Sequence, residues 1–215
     1  PCDPVFLRTR INASLEKKRL RDREQAYLDR IEQEKRRSDE LLHVILPPDV
    51  ATELKEHQAV QPRRFDDVGV LFCDVVGFTA YSERATPEDL LVHLQTMVEL
   101  QEEACSRFGL EKIKTIGDAY MAVAGLPVPR PDHADAVAKM ALGMQEAFCE
   151  VMRARGLAMQ VRIGIHTGPV VAGVIGRHKF TYDLWGDTVN LASRMESHGE
   201  PSRIHVSMAT REILG

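Results

Sequence analysis

The stretch VGVLFCDVVGFT, Val68 to Thr79, is an apolar, β-branched run that stops at an aspartate and passes into a glycine. Such a run reads as a buried strand. A second run, EKIKTIGDAYMAVAG from Glu111 to Gly125, sets Asp118 beside Gly117 in the same way. A carboxylate where a buried strand ends is costly unless a cation meets it. Asp74 and Asp118 on neighbouring strands would therefore suit two divalent ions. That arrangement clamps the attacking and leaving oxygens in phosphoryl or nucleotidyl transfer. Isolated acidic residues are more often solvated, so two unrelated loop aspartates is the competing reading. The neighbours of the pair weigh against it.

Composition narrows the field. The 215 residues are 44% hydrophobic and 28% charged, which fits one globular domain plus an additional segment. A net charge of −4 gives no footprint for nucleic acid. Cys2, Cys73, Cys105 and Cys149 form no CxxC pair. They suggest a reducing cytosol without a disulfide framework, with Cys73 a small buried thiol. The histidines show no HExxH spacing. No apolar run approaches the roughly 20 residues of a membrane span, and no signal peptide is visible. The chain opens at PCDPVFLRTR without Met, as expected of a piece of a longer protein.

Residues 1–46 differ from the rest. Arg8 to Glu40 holds 11 Lys/Arg and 8 Asp/Glu, and no Gly or Pro interrupts Val5 to Leu46. That predicts one long helix with a solvated surface. Steps of four and three pick out Phe6, Ala13, Leu20, Tyr27, Ile31, Leu41 and Ile45, a heptad-like seam broken by charged positions. So thin a stripe does not stabilise a lone helix. A parallel coiled coil joining two copies is one reading and a solvated linker helix the other. The basic excess would also suit an anionic membrane surface. Leu46-Pro47-Pro48 ends the helix, and Pro47-Pro48 with Asp49 as N-cap start a short helix to Glu56. Residues 47–64 are thus a short helix and linker, and 65–215 a globular domain.

Within that domain the pattern alternates. It predicts strands at 66–75, 110–116, 119–125, 159–167, 170–175, 180–185 and 203–206. Helices are predicted at 87–107, 132–155, 187–197 and from 207. Thr86-Pro87-Glu88 starts the first helix and Gly109 stops it. Glycines between Gly164 and Gly176 would permit a tight hairpin. The order βαββαβ is that of a ferredoxin-like α/β sandwich, which puts both aspartates at one end of adjacent central strands.

Other polar residues gather around them. Gly77, Phe78 and Thr79 open a helix whose free backbone N–H groups suit phosphate oxygens. Lys114 lies four residues before Asp118, and even spacing on a strand would turn both to one face. In TYDLWGDTVNLASRMES (Thr181–Ser197), Asp187 reads as the cap of a helix on which Asn190 and Arg194 are i, i+4 neighbours. Arg194 offers a permanent forked cation for charge developing on a phosphoryl group. Asn190 offers an amide that can hold a ribose.

FCDVVGFT, KTIGDAYM, RIGIHTGPVVAGVIG and YDLWGDTVNLASRMES together resemble the catalytic domain of class III nucleotidyl cyclases, in order and spacing, from Phe65 to Gly215. RRSDELLHVILPPDVATEL (Arg36–Leu54) resembles the helical transducer that precedes such domains in membrane-bound or receptor cyclases. The resemblance implies that Asp74, Asp118 and the backbone carbonyl of Val75 bind two divalent ions, Mg2+ or Mn2+. It implies that Asn190 orients the ribose, that Arg194 stabilises the transition state, and that Arg162 contacts the phosphates. Lys114 and Asp183 occupy the base-reading positions. Lysine and aspartate there resemble adenylate cyclases, where guanylate cyclases carry glutamate and cysteine or a similar pair. The chemistry agrees: lysine donates to adenine N1 and aspartate accepts from N6, whereas guanine reverses that pattern. ATP is the expected substrate. The metal acids and the base pair belong to opposite chains in the family's dimers, so a homodimer with two composite sites is implied. An upstream sensor or membrane domain is implied too, with this part on the cytoplasmic side. A triphosphate-binding lysine is implied on a strand beyond the position of Gly215. Competing readings are a guanylate or dual cyclase, a silent dimerisation module, and a polymerase-like transferase. The absence of a basic stripe disfavours the last.

Overall fold

The computed structural model describes residues 4–176 and 179–215, with 4–7, 9 and 11 as backbone alone. Residues 1–3 of the expected helix, Cys2 among them, and the side chain of the seam residue Phe6 lie outside the described residues. Two compact units divide after Glu56, inside the stretch read as short helix and linker.

The first unit is helical. α1 (Pro4–His43) runs 40 residues. It ends three residues ahead of the sequence expectation, in a turn where Ile45 and Leu46 still donate to the Leu42 carbonyl at 3.1 and 3.0 Å and beyond which Pro47 and Pro48 have no N–H to continue the ladder. Arg30–Glu34 at 3.3 Å and Arg36–Glu40 at 3.0 Å lace its surface at i, i+4 spacing. Leu20, Tyr27, Ile31 and Leu41 of the seam are all exposed. α2 (Pro48–His57) begins at Pro48, so Asp49 stands in its first turn and is not the expected N-cap. Lys55 reaches back to Asp39 at 2.6 Å.

The second unit is the α/β sandwich. Its elements are β1 (Arg63–Val76), α3 (Phe78–Ser82), α4 (Pro87–Phe108), β2 (Glu111–Ile116), β3 (Ala119–Ala124), α5 (His133–Ala154), β4 (Gln160–Ile175), β5 (Thr181–Trp185), α6 (Asp187–Ser197), β6 (Ile204–Val206) and α7 (Met208–Leu214). The sheet runs β2-β3-β1-β4-β5, with β6 pairing parallel to β4. The β4-β1-β3-β2 portion is the ferredoxin-like order expected from the pattern.

Strand periodicity sorts the two faces. Leu71, Cys73 and Val75 of β1 and Ile163 and Ile165 of β4 join Met140, Met144 and Phe148 of α5 in the core. The alternate residues, Asp74 on β1 and Arg162 and Gly164 on β4, therefore turn to the opposite face, where α6 packs.

One expectation is overturned. The sequence reading breaks 159–175 into two strands joined by a glycine hairpin, yet β4 is a single strand of 16 residues. Its glycines serve helix packing. A Cβ on Gly164 would lie 1.9 Å from the backbone nitrogen of Glu196 on α6. A Cβ on Gly168 would lie 2.8 Å from Thr188 Oγ1. The chain instead reverses after β4, where Gly176 has φ +117°. A β-bulge between Phe65 and Val68 shifts the β1–β4 register and bends the pair. The ends of the sheet, β2 and β5, come into contact.

Gly164→Ala is expected to destabilise the domain by at least the ~1–3 kcal/mol of an overpacked core, because the obstructing atoms are backbone. Urea unfolding measures it; a midpoint equal to that of the unaltered chain would contradict this account of the glycine.

Candidate active site

β1 delivers Asp74 near its C-terminal end, directly opposite Arg162 of β4 in the antiparallel register. Arg162 donates from Nη2 to Asp74 Oδ2 at 3.0 Å and from Nε to Glu196 Oε1 at 2.7 Å. Glu196 is only 8% exposed, so this arginine joins a strand-borne acid to a buried acid on α6. Bonding to Glu196, above all, raises the Arg162 pKa further.

Asp118 lies in the turn between β2 and β3, after Gly117 at φ +65°. The sequence reading puts it on the same strand as Lys114 with a shared face. The structure corrects this: Gly117 takes the left-handed turn conformation that glycine adopts without strain, and the β2–β3 register also slips between Lys112 and Lys114. Because Cys73 pairs with Tyr120, Asp118 still comes to the end of the sheet that holds Asp74. Burial pushes the Asp118 pKa up, and the negative charge of Asp74 pushes it further. Glu196 is raised too, by burial first, with Arg162 opposing and Asp74 and Asp118 adding to the rise.

Gly77 caps α3 with φ 91°, and Phe78 and Thr79 form its first turn. The turn follows Val76, so its free N–H groups lie beside the Asp74 end of β1. Asn190 and Arg194 share one exposed face of α6 and have no side-chain partner among the described residues. Asp187 is the first residue of α6 and Gly186 its N-cap, without a side-chain cap bond. This replaces the expected Asp187 cap. Thr188 anchors the helix start instead, donating to the Pro169 carbonyl at 2.6 Å.

Lys114 Nζ meets Asp183 Oδ2 at 2.6 Å, with side chains 33% and 18% exposed. The sequence reading has these two act together from β2 and β5, and the chain itself brings them into contact. The backbone N–H of Leu184 donates to Asp183 Oδ1 at 2.8 Å, fixing the carboxylate's orientation.

Glu196 is the residue that sequence reasoning missed. Its signal was periodicity: Thr188, Ala192 and Glu196 recur every four residues and are the buried positions of α6. A carboxylate continuing an otherwise inward-facing stripe calls for a buried cation.

Among the described residues, no group of three or more His, Cys, Asp or Glu is arranged to hold a metal ion. Two carboxylates and the Val75 carbonyl are nonetheless an all-oxygen donor set, the chemistry that Mg2+ and Mn2+ favour.

A family profile described as the adenylate and guanylate cyclase catalytic domain matches residues 60–215. The chain belongs to this family, the class III nucleotidyl cyclases, whose members use divalent metal ions. It is 42% identical to atrial natriuretic peptide receptor 2 of Homo sapiens over 215 residues, 99% of this chain and 20% of that protein. It is 44% identical to an adenylate cyclase of Mycobacterium tuberculosis (strain ATCC 25618 / H37Rv) over 185 residues, 86% of this chain and 42% of that protein. The catalytic core of a rhodopsin-guanylyl cyclase with converted specificity, solved with ATPalphaS, superposes with a TM-score of 0.66 at 38% identity. That match covers 72% of this chain and 84% of that one. The chain thus spans less than half the length of these curated relatives. Among the described residues no helix is long and apolar enough to cross a membrane.

The pKa directions give a stability test. A carboxyl raised on folding binds more protons folded than unfolded, so its stabilising contribution is full below the unfolded value and is lost as pH rises through the folded one. Asp118→Asn is therefore expected to raise the thermal midpoint of the protein in chelator at pH 7, with the gain shrinking toward pH 4. A gain independent of pH would contradict the burial of that charge.

Proposed function

We propose that this chain is the catalytic part of an adenylate cyclase, converting ATP to 3′,5′-cyclic AMP and pyrophosphate at two composite sites of a homodimer. The observation that carries the choice of base is the 2.6 Å Lys114–Asp183 pair. A lysine donor fixed beside a carboxylate acceptor complements the N1 acceptor and N6 donor of adenine, and guanine would meet donor with donor. The relatives include both adenylate and guanylate cyclases, so the base rests on these two side chains.

In this reading Asp74, Asp118 and the Val75 carbonyl hold two divalent ions, Mg2+ or Mn2+. When bound, the ions supply activation of the ribose 3′-hydroxyl and charge neutralisation on the triphosphate. Gly77, Phe78 and Thr79 offer backbone N–H groups to the phosphates, and Arg162 a guanidinium. Asn190 positions the ribose for in-line attack on the α-phosphorus. Arg194 stabilises the charge that develops there. The unpartnered state of Asn190 and Arg194 on α6 suits groups that serve a site completed by a second copy. The exposed seam of α1 gives that second copy a place to pair, as a parallel coiled coil carrying a signal from upstream. The domain reading 1–46, 47–64 and 65–215 follows from the same view. So does a place on the cytoplasmic face of a membrane within a larger protein.

Two experiments test the proposal. Asp74→Ala and Arg194→Ala should each make no measurable cyclic AMP, while an equal mixture recovers part of the activity, because heterodimers then hold one intact site. A mixture as inactive as its components would overturn the shared site. The double variant K114E/D183C should move the ATP-to-GTP ratio of kcat/KM by at least about a hundredfold toward GTP, since mispaired buried polar groups are strongly discriminated. An unchanged ratio in a nucleotide competition assay would remove the base assignment.

A further inference from the structure

Glu196 lies outside the roles assigned above, yet it is the most deeply buried acid next to the site. Its place is built by two glycines. Gly164 lets the backbone of Glu196 rest directly on β4, two residues along the same face from Arg162. Gly199 leaves room for the arginine stem: a Cβ there would lie 3.3 Å from Arg162 Cγ. Nothing in plain helix packing requires a carboxylate at this point, where Thr188 and Ala192 precede it on the stripe.

The two bonds of Arg162 are unequal. The Glu196 bond uses Nε, is 2.7 Å long, and ends on a side chain 10% exposed. The Asp74 bond uses Nη2, is 3.0 Å long, and ends on a side chain 22% exposed. A guanidinium is a rigid planar fork of five N–H donors, so with Nε held by Glu196 the whole plane can tilt about that bond and exchange the acceptor at Nη2. Two cations on one small carboxylate repel each other at short range. A divalent ion arriving at Asp74 must therefore displace Nη2, while Glu196 keeps hold of Nε.

We infer that Glu196 is a positioning residue for Arg162. It anchors the guanidinium so that the Nη end serves as the counter-ion of Asp74 in the metal-free protein and swings to the triphosphate when metal and nucleotide bind. This rests on the two-ion reading of Asp74 given under the proposed function. It adds that the arginine holds the metal acid neutralised until the metal replaces it. It also ties α6, which carries Asn190 and Arg194, to the metal acid of the same chain.

The first test needs no turnover: Mn2+ titration of the full chain without nucleotide, followed by electron paramagnetic resonance. Arg162→Met removes the competing cation and should tighten Mn2+ binding, by about three- to tenfold for a loss of roughly 1 kcal/mol of competition. Glu196→Gln gives the arginine's charge wholly to Asp74 and should weaken Mn2+ binding. The double variant R162M/E196Q leaves no buried charge unpaired, so it guards against misfolding, and it should bind Mn2+ as tightly as R162M. In turnover, E196Q should raise the KM for ATP by about tenfold, the lower range for a charged hydrogen bond, with a smaller change in kcat. A structural role alone would move R162M and E196Q in the same direction. Mn2+ affinity unchanged or weakened in both R162M and the double variant would overturn the inference. So would an unchanged KM in E196Q. Asp74→Ala separates the levels: if it binds Mn2+ like the unaltered chain, the two-ion reading fails and the inference falls with it. If it loses Mn2+ while R162M shows no gain, only the inference falls.

Discussion

The contact between α6 and β4 at Gly164 is the constraint on which the site depends. With no side chain there, the last turn of α6 lies against the strand, and Glu196 comes within 2.7 Å of Arg162. Arg162 faces Asp74 across the β1–β4 register and bonds to it in turn. An acid, a cation and a second acid are thereby strung from a helix through one strand to another. Each charge is partly or largely removed from water, and each is tolerated because the next one answers it. The same packing presents the opposite face of α6, with Asn190 and Arg194, to solvent.

Two kinds of charge organisation meet at this domain. Lys114 and Asp183 form a pair whose members come from the two ends of the sheet path, 69 residues apart in sequence. Such a pair is rigid where a strand carries each partner and a backbone N–H orients the acid. It suits reading the edge of a flat base. Asp74 and Asp118, by contrast, are two acids at the same end of the β1–β3 pair, and burial first, then the Asp74 charge, raises the Asp118 pKa. Arg162 answers the charge of Asp74, and Asp118, with no ion pair among the described residues, is the acid whose pKa is raised. The relatives include both adenylate and guanylate cyclases.

The first unit follows a different logic. α1 is long because nothing in 40 residues breaks it, and its ion pairs at i, i+4 contribute only a few tenths of a kcal/mol each. Its exposed Leu20, Tyr27, Ile31 and Leu41 lie along one seam. A helix of this kind gains stability from a partner rather than from itself. Charged seam positions would weaken any such pairing.

Much of this was legible in the sequence. Apolar runs ending in Asp74 and Asp118, the cap at Thr86, and the stop at Gly109 are local features set by nearest neighbours in the chain. They defined the strands, the helices and the ferredoxin-like order. That order set Asp74 and Asp118 at one end of adjacent strands, and the family motifs pointed to Lys114, Asp183, Asn190, Arg194 and Arg162 as a set. What the sequence misread were the glycines of 164–176 and the caps at Asp49 and Asp187, where a local rule competed with a distant contact. A glycine suits a turn and a close helix approach equally well, and only the position of α6 distinguishes them. The shared face of Lys114 and Asp118 failed for a related reason, since the turn at Gly117 interrupts the strand. Glu196 was passed over because its partner lies 34 residues away. Tertiary structure alone decided which charges meet, because pairing across strands and helices depends on register and packing that no short window of sequence contains.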